Sequence, residues 1–234
     1  MARSTPRRRR IGGLDCLEIA GSPEGPTVVL FHGYGADMAD LASLADSVSA
    51  PRGTNWYFPN GPISIPLGGH YEGRAWLPIS ISELEKSSAT GQPIDLGTVI
   101  PPGLKKSREK ANALLDELSV PPQKLVIGGF SQGAMLATDV ALHRSQPIAG
   151  LALLSGTLVN SEEWKSLASQ KAGMPYFQSH GARDPVLSFG AAQKLDTLLR
   201  DAGWRGRLMR FEGAHEIPSE VGIQLGSFLR QVLG

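Results

Sequence analysis

The sequence has a single cysteine, Cys16, and few aromatic side chains, which make up 6% of its 234 residues. One cysteine excludes an intrachain disulfide and any metal site built from several cysteines. Long hydrophobic runs are lacking too, because no apolar stretch approaches the ~18 residues that a membrane-spanning helix needs. The sequence therefore predicts a soluble protein with no membrane span.

Acidic residues are lacking at the start of the chain. Residues 1–10 contain five arginines and no acid, although the whole chain carries a net charge of only +1. The other 224 residues hold 18 basic and 22 acidic side chains, a net charge of −4, so we expect no nucleic-acid partner. We interpret residues 1–12 as a basic, disordered tail and residues 13–234 as a single domain. A contact between the arginines and nucleic acid or anionic lipid is the alternative.

Short apolar runs alternate with helical patterns along the chain. Predicted strands cover residues 27–31, 55–58, 124–130, 150–155, 174–180 and 207–211, and predicted helices cover residues 40–45, 103–118, 132–145, 191–202 and 217–233. This alternation predicts an α/β fold with a mostly parallel central sheet and helices on both faces. Ligands of such sheets bind outside the carboxyl ends of the strands. Residues 60–100 are predicted to be irregular, and a long irregular stretch is often functional.

A G-x-S-x-G sequence lies where a predicted strand meets a predicted helix. Its residues are Gly129-Phe130-Ser131-Gln132-Gly133, with the strand ending at the phenylalanine and the helix starting at the glutamine. A strand, a sharp turn and a helix form the setting of a nucleophile elbow, in which the serine hydroxyl projects above the sheet. We therefore predict Ser131 as a nucleophile. The alternative is a turn serine that caps the helix.

A serine hydroxyl is a poor nucleophile near neutral pH and needs a base. In elbow architectures an acid and then a histidine follow the serine in chain order. His215 follows the last predicted strand, so we predict it as the base, with a surface loop histidine as the alternative. Asp184 follows the strand that ends at His180 and is predicted to accept the Nδ1–H bond of the base. Initiation of an Asp-Pro turn is its alternative role, and Glu212 and Glu216 are the fallback acids.

Two backbone N–H groups are predicted to bind the oxyanion of a tetrahedral intermediate. One belongs to Gln132, the residue after the predicted nucleophile. The other belongs to Tyr34, in the glycine-containing loop 32–35 that follows an early strand. His32 is expected to brace this loop rather than to transfer protons.

These motifs resemble the carboxylesterase/phospholipase family of α/β-hydrolases, which includes small bacterial carboxylesterases and acyl-protein thioesterases. The matching stretches are residues 30–37, 129–134, 180–181, 184–186 and 215–217. The resemblance implies an α/β-hydrolase fold, a catalytic triad of Ser131, Asp184 and His215, and an oxyanion hole made by the Tyr34 and Gln132 amides. By the same resemblance, Trp76, with Leu77 beside it, is expected to bind substrate; ordinary core packing of the indole is the alternative. Residues between Trp76 and Pro101 do not resemble the family.

The resulting prediction is a cytoplasmic serine carboxylesterase that hydrolyses short to medium acyl esters, with thioesters and lysophospholipids as related substrates. The alternatives are a serine peptidase or amidase on the same fold, and a catalytically silent binding module. We expect no cofactor, no metal ion and a small-molecule ester as partner; a homodimer is left open. No secretory signal is visible. Apolar residues are predicted to wall an acyl pocket, and they are Ile63, Ile65, Leu67, Trp76, Leu77, Ile79 and Ile81.

Overall fold

The computed structural model describes residues 5–69, 72–78 and 96–234. Its strands are β1 (Arg7–Ile11), β2 (Leu14–Ile19), β3 (Thr27–Phe31), β4 (Asn55–Pro59), β5 (Ile63–Pro66), β6 (Glu72–Ala75), β7 (Leu125–Phe130), β8 (Gly150–Leu154), β9 (Pro175–Gly181) and β10 (Arg205–Phe211). Its α-helices are α1 (Leu44–Ser47), α2 (Leu104–Leu118), α3 (Gln132–His143), α4 (Ser161–Ala168), α5 (Phe189–Asp201) and α6 (Ser219–Leu233). In these residues, no helix is both long and apolar enough to cross a membrane.

Eight strands form one sheet in the order β1-β2-β4-β3-β7-β8-β9-β10. The pairs from β4 through β10 are parallel, while β1–β2 and β2–β4 are antiparallel. The central strands β3 and β8 are buried along their whole length because helices cover both faces of the sheet. The predicted mostly parallel sheet is therefore present, and its predicted strands and helices lie where expected, with ends shifted by a few residues.

The core lies on both sides of the sheet. Neighbouring residues of β3 illustrate the alternation, because Val29 belongs to the apolar cluster that includes residues of α2, α3, α4 and α5, whereas Val28 belongs to the cluster that includes residues of α1 and α6. Successive side chains of a strand point to opposite faces, so a strand buried on both faces needs an unbroken apolar run. The short, unbroken apolar runs of the sequence are thus the central strands of a two-sided core.

Strand β1 corrects the prediction of a disordered tail over residues 1–12. Residues Arg7–Ile11 pair in antiparallel register with β2 and form an edge of the sheet. Two of the arginines find acidic partners on β2, with Arg9 3.3 Å from Glu18 and Arg10 3.3 Å from Asp15. These ion pairs and the backbone ladder offset the repulsion among the arginines. Residues 1–4 lie outside the described residues.

A second correction concerns the stretch predicted to be irregular. Strands β5 and β6 form a two-stranded antiparallel sheet within residues 60–100. This hairpin is tied to the loop after β3, because the N–H of Gly35 donates to the Arg74 carbonyl (2.9 Å) and the N–H of Arg74 donates to the Ala36 carbonyl (2.7 Å). The hairpin thus holds the loop that contains Tyr34. Residues 79–95 lie outside the described residues.

Candidate active site

The turn between β7 and α3 has the geometry of a strained elbow. Ser131 has φ 54° and ψ −118°, a backbone conformation that residues other than glycine rarely adopt. The glycines on either side are sterically required: a Cβ on Gly129 would lie 2.4 Å from the carbonyl carbon of Gly133, and a Cβ on Gly133 would lie 2.0 Å from the Phe31 carbonyl oxygen. The elbow predicted from the G-x-S-x-G sequence is therefore formed, with Ser131 at its apex.

The structure brings the three predicted side chains into one chain of hydrogen bonds. Nε2 of His215 lies 2.8 Å from Oγ of Ser131, and Nδ1 of His215 lies 2.6 Å from Oδ2 of Asp184. Because a carboxylate only accepts hydrogen bonds, Nδ1 carries the proton that it donates to Asp184. The lone pair of Nε2 then faces the Ser131 hydroxyl, as a general base requires.

Two neighbouring loops cross tightly and hold the acid beside the histidine. After β9, the N–H of Ala182 donates to the Phe211 carbonyl and the N–H of Arg183 donates to the Gly213 carbonyl, both at 2.9 Å. Gly181 has no room for a side chain, since its Cβ would lie 2.1 Å from the Ala214 carbonyl oxygen. The parallel pairing of β9 with β10, and the contacts between the loops that follow them, thus bring Asp184 next to His215.

Three hydrogen bonds and a close contact with a second histidine converge on the Asp184 carboxylate. Oδ1 accepts from the N–H groups of Val186 (2.8 Å) and Leu187 (2.9 Å), and Oδ2 lies 2.6 Å from His215 and 3.2 Å from Nε2 of His180. Burial by itself raises the pKa of Asp184, but the bonds from His180, His215 and Leu187 outweigh it and hold the pKa well below its usual range. Asp184 is therefore a fixed negative charge.

The stability of the protein is expected to depend on pH through Asp184 in one direction. Because folding lowers the pKa of Asp184, its ionised form stabilises the fold fully above the unfolded-state pKa of about 3.9, and this contribution is lost as the pH falls toward the folded-state pKa. The quantity to follow is the difference between the free energies of unfolding of the wild type and of Asp184→Asn. We expect this difference not to fall between about pH 7 and 5, and to shrink below about pH 4. Urea unfolding at a series of pH values measures this difference, and shrinkage above about pH 6 would contradict the expectation.

The two fallback acids are engaged elsewhere. Glu212 lies 2.5 Å from Nη1 of Arg210, and Oε1 of Glu216 accepts the N–H of Ala214 at 3.1 Å. In the described structure Asp184, and neither glutamate, is the carboxylate bound to His215.

The two N–H groups predicted for the oxyanion hole both border the same cavity as Ser131. Tyr34 and Gln132 line that cavity, and among the described residues neither N–H donates to a protein acceptor. His32 braces the Tyr34 loop as expected: its Nδ1–H donates to the Gly33 carbonyl (2.7 Å), and its Nε2 accepts the N–H of Gly61 (2.9 Å). Burial lowers the pKa of His32, so this ring is uncharged and supports the loop through its two hydrogen bonds.

The cavity above Ser131 has a volume of about 720 Å³ and a mostly apolar wall. Its apolar lining side chains include Leu77, Leu96, Val99, Ile100, Met135, Val186 and Leu187. A cavity of this size and character suits a small ligand with an apolar part. The carboxyl edge of the sheet thus carries both the hydrogen-bonded side chains and a place for a substrate.

Of the two residues predicted to bind substrate, Leu77 lines the cavity and Trp76 does not. Leu77 lines the cavity as expected. The prediction that Trp76 lines the substrate pocket is wrong in the described structure, because its indole is fully buried, packs edge-on against Phe31 and donates its N–H to the His32 carbonyl (3.0 Å). Tertiary packing, which a local pattern does not contain, turns this side chain inward.

The pocket-wall prediction for residues 60–100 holds only in part. Ile63 and Ile65 on β5, and the exposed Leu67 after it, do not line the cavity, so the prediction is wrong for these three. Ile79 and Ile81 lie outside the described residues. The described wall instead uses Val99 and neighbouring apolar residues just before α2.

The side chain of Gln132 has a role that the sequence did not suggest. Its Oε1 accepts the N–H groups of Trp76 (2.7 Å) and Leu77 (3.1 Å), and its Nε2 donates to the Leu77 carbonyl (3.0 Å). All three bonds are buried, so one amide satisfies the backbone of two consecutive residues. Gln132 therefore fixes the cavity wall to the elbow.

A second titratable cluster lies away from the cavity. Ligand-type atoms of Asp139, His143 and Glu163 lie within 4.8 Å of one another. The guanidinium of Arg108 is among them, with Nη1 2.7 Å from Asp139 and 3.0 Å from Nε2 of His143. A cation thus already balances the buried carboxylate, and we assign the cluster to ion pairing between α2, α3 and α4.

The sheet order, the strained turn after β7, and the acid and histidine after β9 and β10 define an α/β-hydrolase. Within that class the chain belongs to the phospholipase/carboxylesterase family, whose sequence profile matches residues 15–233. The resemblance, the α/β-hydrolase fold and the enzyme class predicted from the sequence, a carboxylic ester hydrolase, are confirmed.

Two kinds of relative, an acyl-protein thioesterase and a probable carboxylesterase, match nearly the full chain. Acyl-protein thioesterase 1 of Debaryomyces hansenii is 27% identical over 226 residues, which cover 90% of this chain and 93% of the relative. A probable carboxylesterase of Oryza sativa subsp. japonica is 30% identical over 216 residues, covering 88% of this chain and 77% of the relative. Among solved structures, esterase PE8 superposes with a TM-score of 0.74 at 25% identity, covering 92% of this chain and 97% of that chain.

Proposed function

We propose that this protein is a serine carboxylesterase that hydrolyses short to medium acyl esters through an acyl-enzyme on Ser131. The observation that carries the proposal is the hydrogen-bonded series from Asp184 through His215 to Ser131, which opens into an apolar cavity. Each member occupies the position that its chemical role requires. The serine can lose a proton to the histidine, and the aspartate can stabilise the imidazolium that forms.

The first half of the reaction makes the acyl-enzyme. Oγ of Ser131 attacks the carbonyl carbon while its proton passes to Nε2 of His215. The carbonyl oxygen becomes an oxyanion, which the N–H groups of Tyr34 and Gln132 bind. His215 then gives its proton to the leaving alcohol oxygen as the bond between that oxygen and the carbonyl carbon breaks. The acyl group stays on Ser131.

The second half repeats these steps with water. A water molecule loses a proton to Nε2 of His215 and attacks the acyl carbon, and the same two N–H groups bind the second oxyanion. The bond to Oγ of Ser131 breaks, Oγ takes the proton back, and the carboxylic acid leaves. The N-terminus of the 12-residue helix α3 lies behind Ser131 and favours the developing negative charge.

Labelling with a fluorophosphonate tests the proposal directly. The probe is expected to modify one residue, Ser131, found by mass spectrometry of the digested protein, and to abolish hydrolysis of 4-nitrophenyl butyrate. EDTA is expected to have no effect, because no step uses a metal ion. Labelling of another serine with full loss of activity would overturn the assignment of Ser131.

The leaving group separates the remaining alternatives. Aryl esters, thioesters of the same acyl group and aminoacyl arylamides can be compared at matched concentrations. We expect esters to be hydrolysed faster than arylamides, because the amide carbonyl is less electrophilic and the amine is a poorer leaving group than the alcohol. The thioester arm is included because relatives are named acyl-protein thioesterase. Faster turnover of arylamides would favour a peptidase, and absence of all three activities would favour a silent binding module.

The cavity predicts a preference for short and medium acyl chains. Each further buried CH₂ gains only about 0.8 kcal/mol, and the gain ends where the chain meets the wall. We expect kcat/KM for 4-nitrophenyl esters to peak at acyl chains of roughly 2–8 carbons and to change by at most about fourfold per CH₂ before the drop. Stopped assays from acetate to palmitate measure this profile.

Leu77→Ala tests whether the described wall sets that limit. Removing the Leu77 side chain lengthens the cavity, so the optimum is expected to move toward longer chains with little change on acetate. Ile223→Ala is the matched control, because Ile223 is 65% exposed on α6 and does not line the cavity. A wild-type optimum at palmitate, or the same shift in both variants, would contradict this account of the wall.

A further inference from the structure

His180 is a fully buried histidine in contact with the acid of the proposed triad. Its side chain has no exposed surface, and its Nε2 lies 2.9 Å from the Leu187 carbonyl oxygen and 3.2 Å from Oδ2 of Asp184. The ring packs against Phe189 at the start of α5, with centroids 6.2 Å apart. Nε2 of His180 therefore hydrogen-bonds to the turn that presents the acid and is also in contact with the carboxylate itself.

The contacts of the ring define its tautomer. Both neighbours of Nε2 are acceptors, so Nε2 carries a proton, which it donates to the Leu187 carbonyl while it faces Oδ2 of Asp184. Nδ1 of His180 is buried and has no hydrogen-bond partner in the described structure. A proton on Nδ1 would therefore be buried without an acceptor, which is costly. The geometry makes Nε2–H the donor of this ring.

We propose that His180 is a positioning residue, which holds Oδ2 of Asp184 in line with Nδ1 of His215 and moderates the pull of the carboxylate on the proton of His215. The inference rests on the proposed function, since it gives His180 a role through the triad. Oδ1 is already fixed by two backbone N–H groups, and His180 supplies the side-chain donor that shares Oδ2 with His215. His180 thus completes the carboxylate's set of donors.

Few charged groups face His180. Asp184 and, beyond it, His215 are the titratable neighbours. On β10 the residue opposite His180 is Arg210, which is exposed and pairs with Glu212 at 2.5 Å. From α5 the neighbour is the uncharged ring of Phe189. A pH effect of changing His180 therefore acts through Asp184 and His215.

A pair of variants separates donation from packing. His180→Phe keeps a planar ring but removes the donor, whereas His180→Gln keeps an N–H near the position of Nε2. We expect His180→Phe to lower kcat for 4-nitrophenyl butyrate by about 10–100-fold with KM within about twofold, because a hydrogen bond to a charged group is lost and the cavity is untouched. His180→Gln is expected to recover most of kcat. Equal loss in both variants, or none in His180→Phe, would overturn the proposal.

The pH profile supplies a readout that packing alone would not move. Without the His180 donor, Asp184 holds the proton of His215 more tightly, so the acid limb of kcat/KM is expected to move to higher pH by a few tenths to about one unit in His180→Phe. The limb should stay near its wild-type position in His180→Gln. An unmoved or oppositely moved limb in His180→Phe would overturn the proposal.

A measurement on the wild-type protein decides the matter even if His180→Phe does not fold. Nitrogen NMR of ¹⁵N-histidine-labelled protein is expected to show His180 protonated at Nε2 alone across the active pH range. A ring protonated at Nδ1, or at both nitrogens, would overturn the inference. Ser131→Ala separates the two proposals. An active Ser131→Ala enzyme would contradict the proposed function. If Ser131→Ala is inactive and His180→Phe behaves like the wild type, only the proposed role of His180 is contradicted.

Discussion

Replacing Ser131 by alanine is expected to lower kcat for ester hydrolysis by about 10⁴–10⁶-fold. The hydroxyl oxygen of Ser131 is the atom that bonds to the acyl carbon, so no other group can replace it. The cavity and the backbone N–H groups remain in the variant. Residual hydrolysis should come only from binding and from stabilisation of the oxyanion. Initial rates with 4-nitrophenyl butyrate, followed at high enzyme concentration, measure the loss.

Ser119→Ala is the matched control for this change. Ser119 is another serine with a positive φ, 51°, but it caps the end of α2 and does not line the cavity. Its variant should keep wild-type rates, and circular dichroism should show that both variants fold. An active Ser131→Ala protein would contradict the acyl-enzyme mechanism as a whole.

Asp184→Asn is expected to lower kcat by about 10²–10⁴-fold with little change in KM. An asparagine lacks the negative charge that stabilises the imidazolium of His215. Its amide also permits the ring to turn or to take the wrong tautomer, so that Nε2 no longer accepts from the serine. Steady-state kinetics across the same ester series separate kcat from KM.

Glu212→Gln and Glu216→Gln are the controls for the acid. Both glutamates are near His215 in sequence, yet their carboxylates bind Arg210 and the Ala214 N–H instead. We expect both variants to stay within about threefold of the wild type, as surface changes usually do. A silent Asp184→Asn protein beside a crippled glutamate variant would show that the acid is assigned to the wrong residue.

The nucleophile elbow could be predicted from sequence because its determinants are local. A buried strand, two glycines and a following helix are contiguous in the chain, and steric exclusion at Gly129 and Gly133 leaves few alternatives. The partners of Ser131 could be predicted because strand order fixes where the ends of β9 and β10 lie. Predicting them required only the chain order of acid and histidine.

Features that depend on distant partners were missed. The sequence predicts a tail for the arginine-rich start because repulsion among the arginines is evident from the sequence alone, whereas the acids on β2 that pair with two of them become neighbours only in the folded sheet. The burial of Trp76 depends on Phe31 and His32 behind it. A clue to His180 was present, since a histidine four residues before the acid, at a strand end, can turn back onto the carboxylate.

Strand β1 gives the sheet its outer boundary. If the chain began after Ile11, the outer backbone groups of β2 would face water, and Glu18, which also accepts the Tyr57 hydroxyl, would lose Arg9. A bare strand of this kind is a template on which a second molecule can pair. Strand β1 instead carries four consecutive arginines, two of which pair with acids of β2, and basic side chains on an edge strand disfavour its pairing with a second sheet. We therefore expect β1 to disfavour edge-to-edge pairing between two copies of the folded protein.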